Sequence, residues 1–188
     1  MLIGIDEVGR GCWAGPLVVG AVSLHKEIYG LTDSKKLSKV KREIFAKQIA
    51  ESGEIGLGWV SNLEIDEIGL SAALRLAAKR AISQLSLNTA YEIIIDGNQN
   101  FLPQFSSVKV VVRADSLYPC VSAASIIAKV SRDMYMQEQA ADFPQYGFEQ
   151  HVGYGTKQHI AAIKNHGISS LHRRSFAPIK RYRQDAQP

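Results

Sequence analysis

Ile5-Asp6-Glu7-Val8-Gly9-Arg10-Gly11 closes an apolar run that begins at Leu2. The run reads as a strand, and two adjacent carboxylates stand at its end. The Gly-Arg-Gly that follows reads as a turn. Glycine lets a backbone take positive φ and come close to another molecule, and the arginine offers planar donors suited to phosphate. Acid at a strand end beside a phosphate-friendly turn suits a metal-dependent phosphodiesterase. Neighbouring strand residues point to opposite faces, so Asp6 and Glu7 are expected to share a metal site only if the strand breaks at Glu7.

Working outward, Leu17 to Leu24 is a second β-branched run, expected to pair antiparallel with the first. Glu54 to Val60 reads as a third strand with Ile55, Leu57 and Trp59 on one side. Tyr91 to Ile95 and Val108 to Val112 are continuous apolar runs, as expected of strands buried on both faces. Between them lie helical patterns. Val40, Ile44, Phe45 and Ile49 form one apolar stripe. Ser61-Asn62-Leu63-Glu64 has the form of a capping box, opening a short helix that breaks at Gly69. Leu70, Leu74, Ala77, Ala81 and Leu85 mark a longer helix, and Cys120 to about Ala141 another. Thr156 caps a last helix ending at Gly167. Pro144 to Gly155 reads as a long irregular stretch rich in Gly, Tyr and His, the kind of loop that is often functional. The pattern predicts an α/β fold with a mixed central sheet, in a single domain over 1–188.

Three strand runs end in acid: Asp6-Glu7, Asp96 and, just beyond the last, Asp115. Sites in α/β sheets gather at the carboxyl ends of strands, where strand order reverses. If the strands ending at Asp6 and Asp96 are parallel neighbours, their carboxylates converge and repel unless a cation neutralises them. Hard divalent ions fit such oxygen donors, Mg²⁺ first and Mn²⁺ next, and two of them could serve phosphodiester hydrolysis. Asp133 is either a supporting carboxylate or the i,i+4 partner of Lys129. Asp33 reads as a loop or cap residue, and Asp66 and Glu67 as solvent-facing. The histidines lack a zinc-like spacing with cysteine, and His151 near Tyr154 is the one of interest. Walker, Rossmann and Gly-x-Ser-x-Gly patterns are absent.

Composition sets outer bounds. A hydrophobic fraction of 46% and a charged fraction of 21% are those of an ordinary globule. There is no apolar stretch long enough for a membrane span and no signal-peptide pattern, and Cys12 and Cys120 make no scaffold, so a cytoplasmic protein with reduced thiols is expected. From Gln150 to Gln184 there is no acid, while Lys157, Lys164, Arg173, Arg174, Lys180, Arg181 and Arg183 contribute +7. The total is +4, so the rest of the chain carries −3. A basic tail interleaved with Tyr154, Phe176 and Tyr182 points to a polyanion partner, the alternative being a solvated face.

The quoted stretch closely resembles the signature of the type 2 ribonucleases H (ribonuclease HII). The resemblance continues, in order, through Ala14 to Val18, Asp33-Ser34-Lys35-Lys36-Leu37-Ser38, Asp96-Gly97-Asn98, Ala114-Asp115, Ser122 to Asp133, and Gly153-Tyr154-Gly155-Thr156. It implies a ribonuclease H-like mixed five-stranded sheet flanked by helices, with a helical basic segment, about 144–188, that binds substrate. It implies endonucleolytic cutting of RNA in RNA–DNA hybrids and 5′ of ribonucleotides embedded in duplex DNA. It further implies products with 3′-hydroxyl and 5′-phosphate ends and a role in removal of RNA primers and misincorporated ribonucleotides. By position, Asp6, Glu7, Asp96 and Asp115 match the catalytic, metal-binding carboxylates for two Mg²⁺ or Mn²⁺ ions. Gly9, Arg10 and Gly11 match the turn that reads the 2′-hydroxyl, which distinguishes RNA from DNA. Tyr154 matches the tyrosine at the RNA-to-DNA junction, and Lys35, Lys36 and the basic tail are expected to hold phosphates. A monomer is expected, and Gln184 to Pro188 show no sliding-clamp motif. Cys12-Trp13, Arg113-Ala114 and Val152 depart from the usual pattern. Two other readings remain open: a junction resolvase or transposase-like nuclease on the same fold, and a basic nucleic-acid-binding module whose acids are structural.

Overall fold

A computed structural model describes residues 1–87 and 90–182. Arg183 of the basic tail and the Gln184–Pro188 stretch lie outside the described residues. The sheet has five strands in the order β3-β2-β1-β4-β5, with β1 Leu2–Val8, β2 Leu17–Leu24, β3 Gly53–Val60, β4 Glu92–Asp96 and β5 Val108–Val111. β1 pairs antiparallel with β2, which pairs antiparallel with β3. On its other side β1 pairs parallel with β4, and β4 with β5. The chain therefore builds one way from β1 and then returns to build the other way, so strand order reverses between β1 and β4.

Helices cover both faces. α1 is Lys39–Ser52, α2 Asn62–Ile68, α3 Leu70–Ile82 and α4 Pro119–Asp142. α5 is Phe148–His151, α6 Lys157–His166 and α7 Ala177–Lys180. α3 lies on one face, its Ala73, Leu74, Ala77, Ala78 and Ala81 packed with Ile3, Ile5, Val19, Ile93 and Ile95. The first turns of α4 lie on the other, with Ala123, Ala124 and Ile127 against Val22 and Ile49. Two glycines set how close these helices come. A Cβ at Gly58 would strike the Ala77 carbonyl, and one at Gly20 the Ala124 carbonyl. Helix backbones thus rest directly on the sheet, which brings the start of α4 down onto the acidic end of β1.

Several expectations are corrected. β1 does not break at Glu7: it stays paired through Val8↔Val18. The inward face of α1 is Arg42, Phe45, Ala46 and Ile49, while Val40 and Ile44 are exposed. Arg42 can sit inward because its guanidinium donates to the Ser34 and Leu37 carbonyls. β5 is an edge strand with Lys109 exposed, not a strand buried on both faces. The 144–155 stretch contains α5, seated through Phe148 in a second apolar cluster with Met136, Tyr146 and Ile163. The capping box at Ser61 and Glu64 forms, as does the Thr156 cap on α6.

Candidate active site

The parallel register Ile5↔Ile95 sets Asp6 beside Asp96 at the ends of neighbouring strands. Strict alternation holds along β1, so the two acids leave on opposite faces. Asp6 shares the α4 face with Gly4 and Gly20, and Ser125 of α4 stands beside it. Glu7 turns the other way and pairs with Arg10 at 3.5 Å. Both still line one cleft, together with Gly9, Arg10, Gly11, Lys35, Asp96, Ser125, Lys129 and Tyr154, because the cleft opens at the strand end, where either face is within reach. The cleft encloses about 410 Å³. Asp115 lies in an adjoining depression with Lys36 and Ser122. Its position is fixed by a 3-10 turn over Ala114–Ser116, whose first amide donates to Asp96 Oδ1 at 2.7 Å.

The electrostatics follow from crowding. Burial raises Asp6 to about 7; the hydrogen bond from Ser125 opposes it, and the nearby charges of Glu7 and Asp96 add to it. Burial raises Glu7, opposed by Arg10. Burial, then the charges of Asp96 and Asp33, raise Asp115. Among the described residues no three His, Cys, Asp or Glu side chains stand close enough to form a closed metal-ligand group. The donors are all carboxylate oxygens on a cleft that resists full ionisation, and that donor chemistry fits a hard divalent cation.

The turn after β1 is built from behind. Gly9 has φ 87° and packs on the Arg132 side chain. Arg132 of α4 is fully buried and donates to the carbonyls of Ala14, Pro16 and Val152 at 2.8–3.1 Å. Arg173, also fully buried, donates to the carbonyls of Gly15 at 2.9 Å and Arg10 at 3.2 Å. Its Nη2 has no partner among the described residues, and its guanidinium lies 5.0 Å from the Phe176 ring centre. Gly11 differs from Gly9: a Cβ there would meet nothing within 4 Å, so the protein itself does not require glycine at that position.

Tyr154 is held at the cleft edge by its backbone, and its amide donates to His151. Burial, and the Cys12 thiol beneath it, raise its hydroxyl to about 12, so the hydroxyl stays protonated. Two of the sequence departures lie here: Cys12 is fully buried, and Trp13 packs 6.0 Å from His159. Val152 and Arg113 both take left-handed backbone, φ 44° and 58°. For a β-branched residue this is strained, and the Arg132 bond to the Val152 carbonyl holds it.

Other expected residues fall as follows. Lys129 and Asp133 form the i,i+4 pair, 2.7 Å apart, which presents Lys129 to the cleft while Asp133 stays outside it. Asp33 caps the 3-10 turn over Ser34–Lys36 by accepting from Lys35 N. Asp66 does not face solvent freely. It accepts from Arg174 N, Ser175 N and Ser175 Oγ and so tethers the C-terminal segment. Arg173 is buried rather than available to phosphate, and Phe176 and Tyr182 pack into the apolar clusters. Sequence reasoning missed Ser125, Arg132, His159 and His172. The i, i+4, i+7 spacing of Ser125, Lys129 and Arg132 was the available signal that one helix face serves the site.

Residues 3–179 match the family model for Ribonuclease HII. A Ribonuclease HII of Bacillus cereus (strain Q1) is 50% identical over 184 residues, which span 95% of this chain and 70% of that protein. Among solved structures, the Ribonuclease HII in a PCNA complex from Archaeoglobus fulgidus aligns with a TM-score of 0.79 at 29% identity, covering 98% of this chain and 97% of that one. Bst-RNase HIII in complex with Mn²⁺ aligns with a TM-score of 0.75 at 23% identity, covering 99% of this chain and 70% of that one, and so shares the fold. The ribonuclease H-like sheet, the ordered motifs and these matches agree: the chain belongs to the ribonuclease HII family and is a type 2 ribonuclease H, a nuclease of the hydrolase class.

Proposed function

We propose that the cleft hydrolyses the phosphodiester bond 5′ of a ribonucleotide, in RNA–DNA hybrids and at ribonucleotides embedded in duplex DNA, leaving 3′-hydroxyl and 5′-phosphate ends. The observation that carries this reading is the in-register pair Asp6 and Asp96, opening beside a turn whose Gly11 faces empty space. Asp6, Glu7, Asp96 and Asp115 would hold two divalent ions, Mg²⁺ or Mn²⁺. When bound, the ions supply positive charge to the scissile phosphate and to the attacking and leaving oxygens. A family-fold neighbour solved with Mn²⁺ supports that choice.

The protein's own groups supply the selection. Main-chain groups of Gly9, Arg10 and Gly11 meet the 2′-hydroxyl, which both donates and accepts. A side chain at Gly11 would stand between backbone and sugar. The Tyr154 ring packs on the sugar after the junction, and Lys35, Lys36 and Lys129 hold phosphates without reading sequence. The domain acts as a monomer, with 144–188 as its substrate-binding segment, and serves removal of RNA primers and misincorporated ribonucleotides. No helix among the described residues is long and apolar enough to cross a membrane.

The test is Asp96→Asn. It should abolish cleavage of a single-ribonucleotide duplex, by at least about a thousandfold, while duplex binding stays within a few-fold. Full activity of Asp96→Asn with Mg²⁺ present would remove the carboxylate assignment.

A further inference from the structure

We infer that His172 and Arg173, consecutive in sequence, together with His159, are positioning residues that hold the two substrate-reading elements, Tyr154 and the Gly9–Gly11 turn, in one register. The inference rests on the reading of those elements given above.

The hydrogen-bond chain is fully determined. The Tyr154 carbonyl can only accept, so His159 Nδ1, 2.9 Å away, carries the proton and donates. His159 Nε2 is then an acceptor, and His172 Nε2 lies 3.0 Å from it, so His172 donates. That leaves His172 Nδ1 unprotonated, and it accepts from Ser169 N at 2.8 Å. Both imidazoles are neutral, and reversing any one bond would break the others. Burial keeps them so, lowering His159 to about 4 and His172 to about 3, opposed by their backbone partners and reinforced by neighbouring imidazoles. The titratable groups around them are His151, stacked 4.4 Å from His159, and Tyr146, 5.2 Å from His172, with Phe148 between. Among the described residues no carboxylate faces the pair to favour its protonation.

The next residue completes the device. Arg173 N donates to the Trp13 carbonyl at 2.8 Å, and its guanidinium ends on the Arg10 carbonyl in the middle of the reading turn. His172 itself bridges Ala14 in an isolated antiparallel pair. One loop, far along the chain, therefore terminates on Tyr154 through His159 and on Arg10 through Arg173. Core histidines that merely satisfied each other would have no reason to end on these two elements.

The test uses the geometry of amides as stand-ins. An Asn amide nitrogen sits where Nδ1 was, and a Gln amide where Nε2 was. His159→Asn keeps the donor to Tyr154 and His159→Gln loses it. At His172 the order inverts, because His172→Gln keeps the donor to His159 and His172→Asn does not. The readout is kcat for a single-ribonucleotide duplex relative to a uniform RNA–DNA hybrid, with Tyr154→Ala as reference and thermal melts for each variant. We expect His159→Asn and His172→Gln to keep the wild-type ratio within about twofold, and His159→Gln and His172→Asn to lose about tenfold of it, in kcat rather than KM. A purely structural role would lower both rates together and hold the ratio at its wild-type value in all four variants, whatever their melting temperatures, and that result would overturn the inference. If Tyr154→Ala shifts the ratio and the Asn/Gln pairs agree, this inference alone falls. If Tyr154→Ala leaves the ratio unchanged, the reading of Tyr154 falls and takes the inference with it.

Discussion

Asp6 shows in one residue why the proposed function gives this cleft a cation. Its carboxyl is held near pKa 7 because burial and two neighbouring acids disfavour its charge. A group whose folded pKa lies above its unfolded value of 3.8 contributes most stability below pH 3.8. That contribution declines as pH rises to about 7 and stays lost above it. Asp6→Asn removes the cost, while its side-chain oxygen can still accept from Glu7 N. In metal-free buffer at pH 7.5 the variant should therefore melt several degrees above the parent, at roughly 2–4 °C per kcal/mol recovered. The gap should narrow as pH falls toward 4. A variant that melts lower at pH 7.5 would mean that Asp6 is stabilised in place without metal. The carboxylates were legible in the sequence because each ends an apolar run. Arg132, Arg173 and the histidine pair were not, because a buried polar side chain is identified by its partner. Those partners lie up to 163 residues away, as Arg173 and Arg10 do.

At the scale of elements, α4 does most to assemble the site. Its first turns rest on β1 and β2 over Gly4 and Gly20. Successive turns then deliver Ser125 to Asp6, Lys129 to the cleft rim and Arg132 to the back of the reading turn. Two substitutions on this face should separate structure from substrate contact. Arg132→Met leaves three carbonyls without their donor, so a loss of at least about 3 kcal/mol is expected, since an unsatisfied buried acceptor costs roughly 1–3 kcal/mol. Lys129→Met breaks only a partly exposed pair and should cost no more than about 1 kcal/mol, while weakening duplex binding. Chemical denaturation measures both. Equal losses would mean that the two residues do not divide labour in this way. The existence of α4 was readable from its alanine- and isoleucine-rich turns, and the capping residues Ser61 and Thr156 from their spacing. The inward face of α1 was misjudged because Arg42 occupies a position that apolar periodicity gives to Val40 or Ile44. A guanidinium with two carbonyl partners can be buried where an unpaired charge cannot.

For the whole molecule, the sheet order β3-β2-β1-β4-β5 places the reversal of strand order at the acidic strand ends, where α/β sheets hold their ligands. The strands could be read from sequence, but the register Ile5↔Ile95 that sets Asp6 against Asp96 could not, since it depends on packing across the sheet. The basic tail also changed meaning. Arg173 went inward, Phe176 and Tyr182 pack half-buried against the apolar clusters, and Asp66 tied the segment down, so it is anchored to the body of the domain rather than a free basic tail. What the molecule brings together is a carboxylate cleft and an open glycine turn, to which the proposed function assigns the metal ions and the 2′-hydroxyl. The most direct test is cleavage of a DNA duplex carrying one ribonucleotide, beside the same duplex in all-DNA form, with and without Mg²⁺ or Mn²⁺. Metal-dependent cutting on the 5′ side of the ribonucleotide, with the all-DNA duplex intact, is the predicted result. Cutting of both duplexes, or cutting that persists in chelator, would contradict the account.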